Sequence, residues 1–345
     1  MIPHSRPSLG KEEESAVIRV IRSGHLAQGR EVAALEEELA ARLGAAYVVA
    51  VSSGSAALHL ALLSLGIGAQ HQVILPSYVC SALLHAIQHV GAAPCLVDID
   101  PDSLNISVDT VSPHLSESVG AILVPHMFGC CADLDPLLGL NIPLIEDCAM
   151  SLGASCKGKP AGSLGTLGVF SFYATKVLCG GEGGAVATND KGLRDHLIDL
   201  RDYDGRDNAR ARYNYKLTDL QAAIIRVQLK KLDLFIEKRR MLGKTYTGAL
   251  SDTDVRLPVY EPGDFPFRYV VRNPKGMKGL EARFERAGIS ASKPVHLPLH
   301  QLFELPDAAF PNTANAQTTA LSLPLYPALS NAEVDLILET ARELL

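Results

Sequence analysis

Apolar positions in the first two thirds of the chain follow two alternating periodicities. Short runs rich in valine and isoleucine have the length of β-strands, and between them apolar residues recur every three or four positions, as on one face of a helix. The predicted strands cover 47–52, 73–75, 94–99, 121–125, 142–145, 169–173 and 184–188, and the helical segments cover 55–65, 80–90 and 134–140. Strands alternating with helices predict an α/β fold with a mostly parallel sheet between helices.

A different pattern begins near Leu217. Thr218 and Gln221 have the spacing of a capping box, which predicts the start of a long helical stretch that runs from Asp219 to about Leu250, either continuous or broken in its middle. Beyond it, strands are predicted over 255–258 and 268–272, and helices over 278–287 and 332–345. Two amphipathic helices are also predicted within 11–43. We therefore expect a large domain over 1–235 that includes these N-terminal helices, and a smaller α+β domain over 236–345.

Composition narrows the classes of function. The chain has 345 residues, 47% of them hydrophobic and 20% charged, which is ordinary for a globular protein. A net charge of -6 and the lack of a basic block argue against a nucleic-acid partner. No apolar run approaches the length of a membrane span, and the N-terminus lacks the apolar core of a signal peptide.

Cysteine usage points to a cytoplasmic protein. The seven cysteines are odd in number and include no Cys-x-x-Cys pair, so neither a disulfide framework nor a zinc site is expected. Reduced thiols in the cytoplasm agree better with this pattern, and Cys130 and Cys131 are interpreted as structural.

One lysine stands in a chemically informative setting. Lys176 follows the apolar run 169–173 and precedes the glycine-rich segment 180–184, with Ser171 five positions before it. Asp147 ends another apolar run upstream. A lysine that forms a Schiff base and a carboxylate that pairs with a pyridinium nitrogen are the groups that hold pyridoxal 5'-phosphate (PLP). Each residue alone is commonly a solvated charge, a cap or a turn, so the prediction depends on their joint order.

The phosphate end of such a site is predicted at 49–57, where a strand, a turn of small residues and a helix start follow one another. Free amides at a helix N-terminus bind anions. Gly54 permits close approach of the backbone, Ser55 adds a hydroxyl, and Ser171 would supply a second hydroxyl to the same phosphate. Lys176 would also move a proton during the reaction, which requires that burial and a nearby cation lower its pKa.

These motifs together resemble the DegT/DnrJ/EryC1/StrS family of PLP-dependent nucleotide-sugar aminotransferases. The resemblance covers nearly the whole chain and rests on 54–57, 146–149, 171–176 and 181–184, with further matches at 29–32, 75–78, 97–100, 125–129, 213–217, 220–223 and 323–326. It implies the fold-type I architecture of aspartate aminotransferase. It also implies a homodimer with its active sites at the subunit interface, and transfer of an amino group, usually from glutamate, to a keto-sugar on a nucleotide.

The resemblance also implies a role for individual residues. Lys176 matches the Schiff-base lysine and Asp147 matches the partner of the pyridine nitrogen. The remaining cofactor-binding positions are phosphate ligands at Ser55, Ala56 and Ser171, an asparagine donated by the neighbouring subunit at Asn214, and ring contacts at Cys80 and Met150. Cys80 stands where an aromatic residue usually stacks on the ring, and Met150 where Gln or His is usual.

Two alternatives stay open at this point. Simple sugar dehydratases resemble this pattern but carry His in place of the lysine, so Lys176 argues against that class. A PLP-binding or regulatory protein on a catalytic scaffold is the second alternative, and Met150 and Cys80 are the residues that support it. His296 and His300 lie near predicted strand ends and are candidates either for the sugar pocket or for structural hydrogen bonds.

Overall fold

The computed structural model describes residues 1–345, which are the whole chain. Its strands are β1 (Tyr47–Val51), β2 (Gln72–Pro76), β3 (Ala93–Val97), β4 (Val119–Pro125), β5 (Leu144–Asp147), β6 (Ser155–Cys156), β7 (Lys159–Pro160), β8 (Leu167–Ser171), β9 (Gly184–Thr188), β10 (Tyr269–Arg272) and β11 (Ala320–Leu323). Its α-helices are α1 (Lys11–Ser23), α2 (Arg30–Leu43), α3 (Gly54–Ser64), α4 (Ala82–His89), α5 (Val108–Val111), α6 (Leu134–Leu138), α7 (Lys191–Arg201), α8 (Asp219–Lys230), α9 (Leu232–Leu250), α10 (Leu280–Arg286), α11 (Leu299–Leu302), α12 (Pro311–Thr319) and α13 (Asn331–Leu344). None of these helices combines the length and the apolar character needed to cross a bilayer.

Seven strands form the central sheet in the order β1-β9-β8-β5-β4-β2-β3. All neighbours between β8 and β3 pair in parallel, whereas β9 runs antiparallel to both β1 and β8. The predicted mostly parallel sheet is thereby confirmed. Because β1 and β8 both oppose β9, every strand except β9 ends at the same edge of the sheet. In open α/β sheets, this carboxyl edge is where ligands bind.

Both faces of the sheet are buried, because side chains along each strand alternate between two cores. In β1, Val49 and Val51 belong to a core shared with α3, α4 and α7, whereas Val48 and Ala50 belong to a core shared with α2 and α8. The predicted covering of the sheet by helices on both sides follows from this alternation.

The long predicted helical stretch is broken in its middle and forms two helices, which is one of the two arrangements that the sequence left open. The capping box is present as predicted, since Thr218 Oγ accepts from the Gln221 amide and the Gln221 side chain accepts from the Thr218 amide. The chain leaves helical geometry at Lys231, with φ -99° and ψ 0°, between α8 and α9. Phe235 of α9 packs in the core under the sheet and Tyr246 in a C-terminal core, so α9 bridges both. The domain boundary at 235/236 itself stays a prediction.

The C-terminal core is built from β10, β11, α10, α13 and the end of α9. The strand predicted over 255–258 is wrong, because this segment forms a single bridge between Arg256 and Arg272 rather than a ladder. Pro258 has no N–H to donate, which prevents a regular strand from continuing. The antiparallel partner of β10 is instead β11, which lies far along the chain and directly after α12.

One pair of cysteines corrects the expectation of reduced thiols. Cys131 and Cys156 are joined by a disulfide across 25 residues of sequence. The bond ties the loop after β4 to β6, while the other five cysteines are free. Pairing of distant cysteines depends on the fold, so cysteine count and spacing did not predict it.

Candidate active site

A cavity of about 310 Å³ lies at the carboxyl edge of the sheet, where β4, β5 and β8 end and α3 begins. Seven of the nine residues predicted to contact the cofactor line it: Gly54, Ser55, Cys80, Asp147, Met150, Ser171 and Lys176. These residues come from four separate stretches of sequence and meet because the parallel strands deliver their carboxyl ends to one edge.

The N-terminus of α3 forms one end of this cavity. Ser53 caps the helix, and its Oγ accepts from the Ala56 amide at 3.0 Å. The amides of Gly54 and Ser55 lie in the first turn, where no intrahelical acceptor is available. Together with the Ser55 hydroxyl they make a site for an anion, which the helix dipole further favours. Ser53 also lines the cavity, and sequence patterns did not single it out.

Position 54 requires glycine because its backbone lies very close to Ser171 at the end of β8. A Cβ atom added at Gly54 would lie 2.8 Å from Ser171 Cβ and 3.0 Å from Ser171 Oγ. Because real side chains do not approach so closely, a larger residue at position 54 would push Ser171 away. The absence of a side chain therefore places the Ser171 hydroxyl beside the first turn of α3, as the predicted phosphate site needs.

Asp147 is the last residue of β5 and is 8% exposed. Its Oδ1 accepts a hydrogen bond from the Ala149 amide at 3.0 Å. Burial raises the pKa of the Asp147 carboxyl, although that hydrogen bond and the charge of Lys176 act in the opposite direction. A buried carboxylate with so little compensation is stabilised by a cation that enters the cavity.

Lys176 faces the same cavity from the loop after β8. Its Nζ lies 5.8 Å from the centre of the Phe267 ring. Burial lowers the pKa of the Lys176 ammonium, and Arg268 adds to that effect while Asp147 opposes it. A larger neutral fraction makes the amine a better nucleophile and a better base.

A buried pair next to Asp147 was not predicted. His126 and Glu146 are both fully enclosed, and His126 Nε2 donates to Glu146 Oε2 at 3.0 Å. The Ala132 amide donates to His126 Nδ1 at 3.1 Å, so this hydrogen-bond network assigns the proton to Nε2. The pairing of β4 with β5 could have revealed this contact. Pro125 of β4 pairs with Asp147 of β5, so His126, the next residue after Pro125, lies at the end of β5.

Glu146 has further partners in the backbone. The amides of Gly162, Leu164 and Gly165 donate to its carboxylate at 2.8, 2.7 and 2.6 Å. Burial alone would raise the pKa of Glu146, but the hydrogen bonds from His126 and from these amides outweigh it, and the pKa lies below the usual range. Glu146 is therefore an ionised anchor that holds the loop before β8 against the end of β5.

Two predicted cofactor contacts do not line this cavity. Ala56 is buried within α3 and uses its amide to bind the Ser53 cap. Asn214 is exposed and lies outside the cavity of its own chain. Of the histidines left open by sequence, His300 is buried and bonded to Ser77 and Asp307, which makes it structural.

The donor set suits PLP. A buried carboxylate, a buried lysine amine and a helix N-terminus with free amides face one cavity, and they match a protonated ring nitrogen, an aldehyde carbon and a phosphate, respectively. Cys80 and Met150 line the same cavity. Sequence patterns also missed Tyr173 and Glu182, which contribute to the wall near Lys176.

A family model matches residues 7–342, and its description is the DegT/DnrJ/EryC1/StrS aminotransferase family. The chain belongs to this family. It is therefore a PLP-dependent aminotransferase, and the resemblance inferred from sequence motifs is confirmed. The fold-type I architecture is confirmed as well by the similar solved structures.

Those similar structures align over almost the entire chain. The aminotransferase TlmJ from Streptoalloteichus hindustanus is 30% identical, with a TM-score of 0.93, and the match covers 99% of this chain and 98% of that one. DesV from S. venezuelae is 31% identical, with a TM-score of 0.91, over 96% of this chain and 94% of its own. The PLP form of Spr1654 from Streptococcus pneumoniae has a TM-score of 0.94 at 24% identity, over 99% and 98% of the two chains, and shows the shared fold.

Proposed function

We propose that this aminotransferase moves an amino group from an amino acid, with glutamate as the donor, to a keto-sugar carried on a nucleotide. The observation that carries the proposal is the convergence of Lys176 and Asp147 on one cavity beside the N-terminus of α3. The keto-sugar nucleotide is supported by the family resemblance of the motifs around these residues.

Each residue has a task in this proposal. Bound PLP supplies an electron sink for the carbon that carries the amino group. Asp147 would pair with the protonated ring nitrogen, and the first turn of α3 with Ser55 and Ser171 would hold the phosphate. Lys176 would anchor the cofactor, and its Nζ, once free, would take up a proton beside the reacting carbon and give it back.

The assembly and location are part of the same proposal. We propose a homodimer in which Asn214 reaches the phosphate bound to the partner subunit, and a cytoplasmic enzyme that takes amino acids and nucleotide sugars as substrates. The exposed position of Asn214, outside the cavity of its own chain, supports this arrangement. PLP at an interface would also be protected from solvent by both subunits.

The decisive experiment follows the absorbance of the protein with PLP before and after L-glutamate is added. We expect a band from lysine-bound PLP that bleaches to the pyridoxamine form, followed by its return when a suitable keto-sugar nucleotide is supplied. Lys176→Arg is expected to abolish both changes while keeping a positive charge in the cavity.

The outcomes separate the alternatives. A lysine-dependent band that ignores glutamate and every other amino acid tested would contradict transamination and favour a PLP-binding protein. Release of water from the sugar without any transfer of nitrogen would favour a dehydratase. Retained turnover in Lys176→Arg would contradict the role given to Lys176.

A further inference from the structure

The disulfide between Cys131 and Cys156 joins the two segments that follow neighbouring strands of the sheet. Cys131 lies in the loop after β4, and Cys156 lies in β6, which the chain reaches after β5 ends at Asp147. Pro125 and Asp147 pair in the sheet, so both segments leave its carboxyl edge beside the cavity of Asp147 and Lys176, the cofactor cavity. The bond therefore ties together two loops that border the cofactor site.

The loop after β4 forms part of the wall of the cofactor cavity. His126 and Met127 both belong to that wall. The Ala132 amide donates to His126 Nδ1 at 3.1 Å, and the Cys131 amide donates to Asp264 Oδ1 at 3.0 Å. Because Ala132 directly follows Cys131, a displacement of Cys131 would also displace the hydrogen-bond donor of His126.

Phe128 lies between this wall and the disulfide, and its φ is 59°. A bulky side chain rarely adopts this left-handed conformation, which persists only where the surrounding structure holds it. The Phe267 amide donates to the Phe128 carbonyl at 2.9 Å, and the Phe267 ring is the one that lies 5.8 Å from Lys176 Nζ. Since the disulfide restrains the same loop, its loss is expected to let the loop move relative to Phe267 and the lysine.

The segment that contains Cys156 leads to the other side of the site. Cys156 pairs with Lys159 in the hairpin of β6 and β7. The chain then reaches Gly162, whose amide donates to Glu146 Oε2 at 2.8 Å. Glu146 directly precedes Asp147 in β5. Both ends of the disulfide are thus connected, through a few hydrogen bonds, to residues next to the cofactor cavity.

The disulfide is accessible from the side of Cys131. A groove of about 360 Å³ is lined by Cys131 and Met127, among other residues, and Met127 also lines the cofactor cavity. Cys156 is 7% exposed and does not line the groove. Cys130 lines it too, but burial and the nearby Asp264 carboxylate raise the pKa of the Cys130 thiol. A protonated thiol does not attack the neighbouring disulfide, so the attacking thiolate comes from outside the chain.

We propose that the Cys131–Cys156 disulfide is a thiol-exchange site through which a dithiol reductant weakens the PLP site. One thiolate of the reductant attacks Cys131 Sγ, the bond between the two protein sulfurs breaks, and Cys156 leaves as a thiolate that takes up a proton. The second thiol of the reductant then displaces Cys131. The reductant ends as a disulfide, and the protein gains two electrons and two protons as two thiols.

The proposed location of the enzyme supports this assignment. Disulfides are rare in the reducing cytoplasm, and those that occur there are usually catalytic or redox-sensing. A bond that can be reached from a groove and that holds the wall of a cofactor cavity has the access and the connection that such a role needs.

The test needs PLP binding alone and no sugar substrate, so its result is separate from that of the proposed function. Protein purified without reductant is treated with dithiothreitol in its native state, freed of the reagent by gel filtration without oxygen, and titrated with PLP. Thiols counted after denaturation are expected to rise from five to seven. The dissociation constant of PLP, followed by the absorbance of the lysine-bound cofactor, is expected to rise roughly 10-fold and to return on reoxidation.

Variants separate this disulfide from the other cysteines. Cys131→Ser is expected to bind PLP as weakly as reduced wild type and to ignore dithiothreitol. Cys95→Ser is the matched control, because Cys95 is a free, half-buried cysteine of β3, and it is expected to respond to dithiothreitol as wild type does. Iodoacetamide is expected to modify Cys131 in Cys156→Ser faster than Cys156 in Cys131→Ser, since only Cys131 lines the groove.

Several results would overturn the proposal, and wild-type protein alone supplies the main ones. Unchanged PLP affinity in protein with seven thiols would mean that the bond is merely structural, even if reduction lowers the free energy of unfolding in urea. Seven thiols before treatment, or five after it, would exclude the exchange itself. Loss of PLP affinity that reoxidation does not reverse would indicate damage rather than a thiol-dependent change.

Discussion

The carboxylate of Asp147 is buried and accepts one hydrogen bond from the protein, which the Ala149 amide donates. Its pKa is raised by burial, so the folded chain binds a proton more tightly there than the unfolded chain does. The ionised group therefore destabilises cofactor-free protein at pH values above the ordinary aspartate pKa, and this effect disappears as the pH falls below it. Such strain is consistent with a residue retained for a ligand rather than for stability.

The destabilising effect of the ionised Asp147 carboxylate can be measured with the variant Asp147→Asn. We expect the cofactor-free variant to be more stable than wild type by roughly 1 kcal/mol at neutral pH, with the difference vanishing near pH 3. PLP affinity and amino transfer are expected to fall at least about 10-fold, because an amide does not hold the ring proton. Denaturant melts across pH, with and without PLP, check both parts; lower stability of the cofactor-free variant at neutral pH would contradict this account.

Glu146 acts at the scale of elements, because it joins β5, the loop before β8 and His126 after β4. Its pKa is lowered in the folded chain, so it stabilises the fold above the ordinary glutamate pKa and this contribution is lost as the pH falls through the lowered value. An amide at this position offers one acceptor oxygen where the carboxylate offers two.

We therefore expect Glu146→Gln to lower the free energy of unfolding by about 3 kcal/mol at neutral pH, since a donor group would face backbone N–H groups in a buried site. The deficit relative to wild type should shrink as the pH falls below about 4.5, because the unfolded wild-type chain then binds a proton at Glu146 that the folded chain does not yet bind. Paired urea melts between pH 3 and 8 measure this difference. A deficit that is constant with pH would show that the charge of Glu146 is irrelevant.

Local signals explain which elements and site residues the sequence predicted. The capping box at Thr218 and the placement of Lys176 and Asp147 after apolar runs depend on neighbours in sequence, and the structure agrees with them. What was missed depends on contacts across the fold. β11 pairs with β10 some 50 residues earlier, and His126 and Glu146 form a hydrogen bond although they are 20 residues apart in sequence.

At the scale of the whole molecule, one chain contains the lysine, the aspartate and the helix N-terminus but leaves Asn214 exposed. Its position is fixed by packing, since Tyr213 and Tyr215 stack with their ring centres 5.0 Å apart and the Tyr215 hydroxyl bonds to His59 at 3.1 Å. A side chain held outward by an ordered segment is well suited to complete a site on a second copy of the chain.

Subunit mixing tests this homodimer. Lys176→Ala and Asn214→Ala proteins are each expected to be nearly inactive. In a mixed dimer, the Asn214→Ala subunit supplies Lys176 and its partner supplies Asn214, so one of the two sites is intact. Random refolding of an equal mixture should then recover about a quarter of the wild-type activity, because half of the dimers are mixed.

A control mixture distinguishes an active site shared between subunits from activity regained because mixing stabilises the variants. Lys176→Ala mixed with Asp147→Asn is expected to gain nothing if Asp147 and Lys176 serve the same site from one chain, as their common cavity indicates. Since both residues face that cavity in a single subunit, the intact copy of Asp147 in one chain does not compensate for the altered copy in the other. Recovery in the Asn214 mixture alone therefore requires that Asn214 act across the interface, and no recovery in either mixture would place its function within its own subunit.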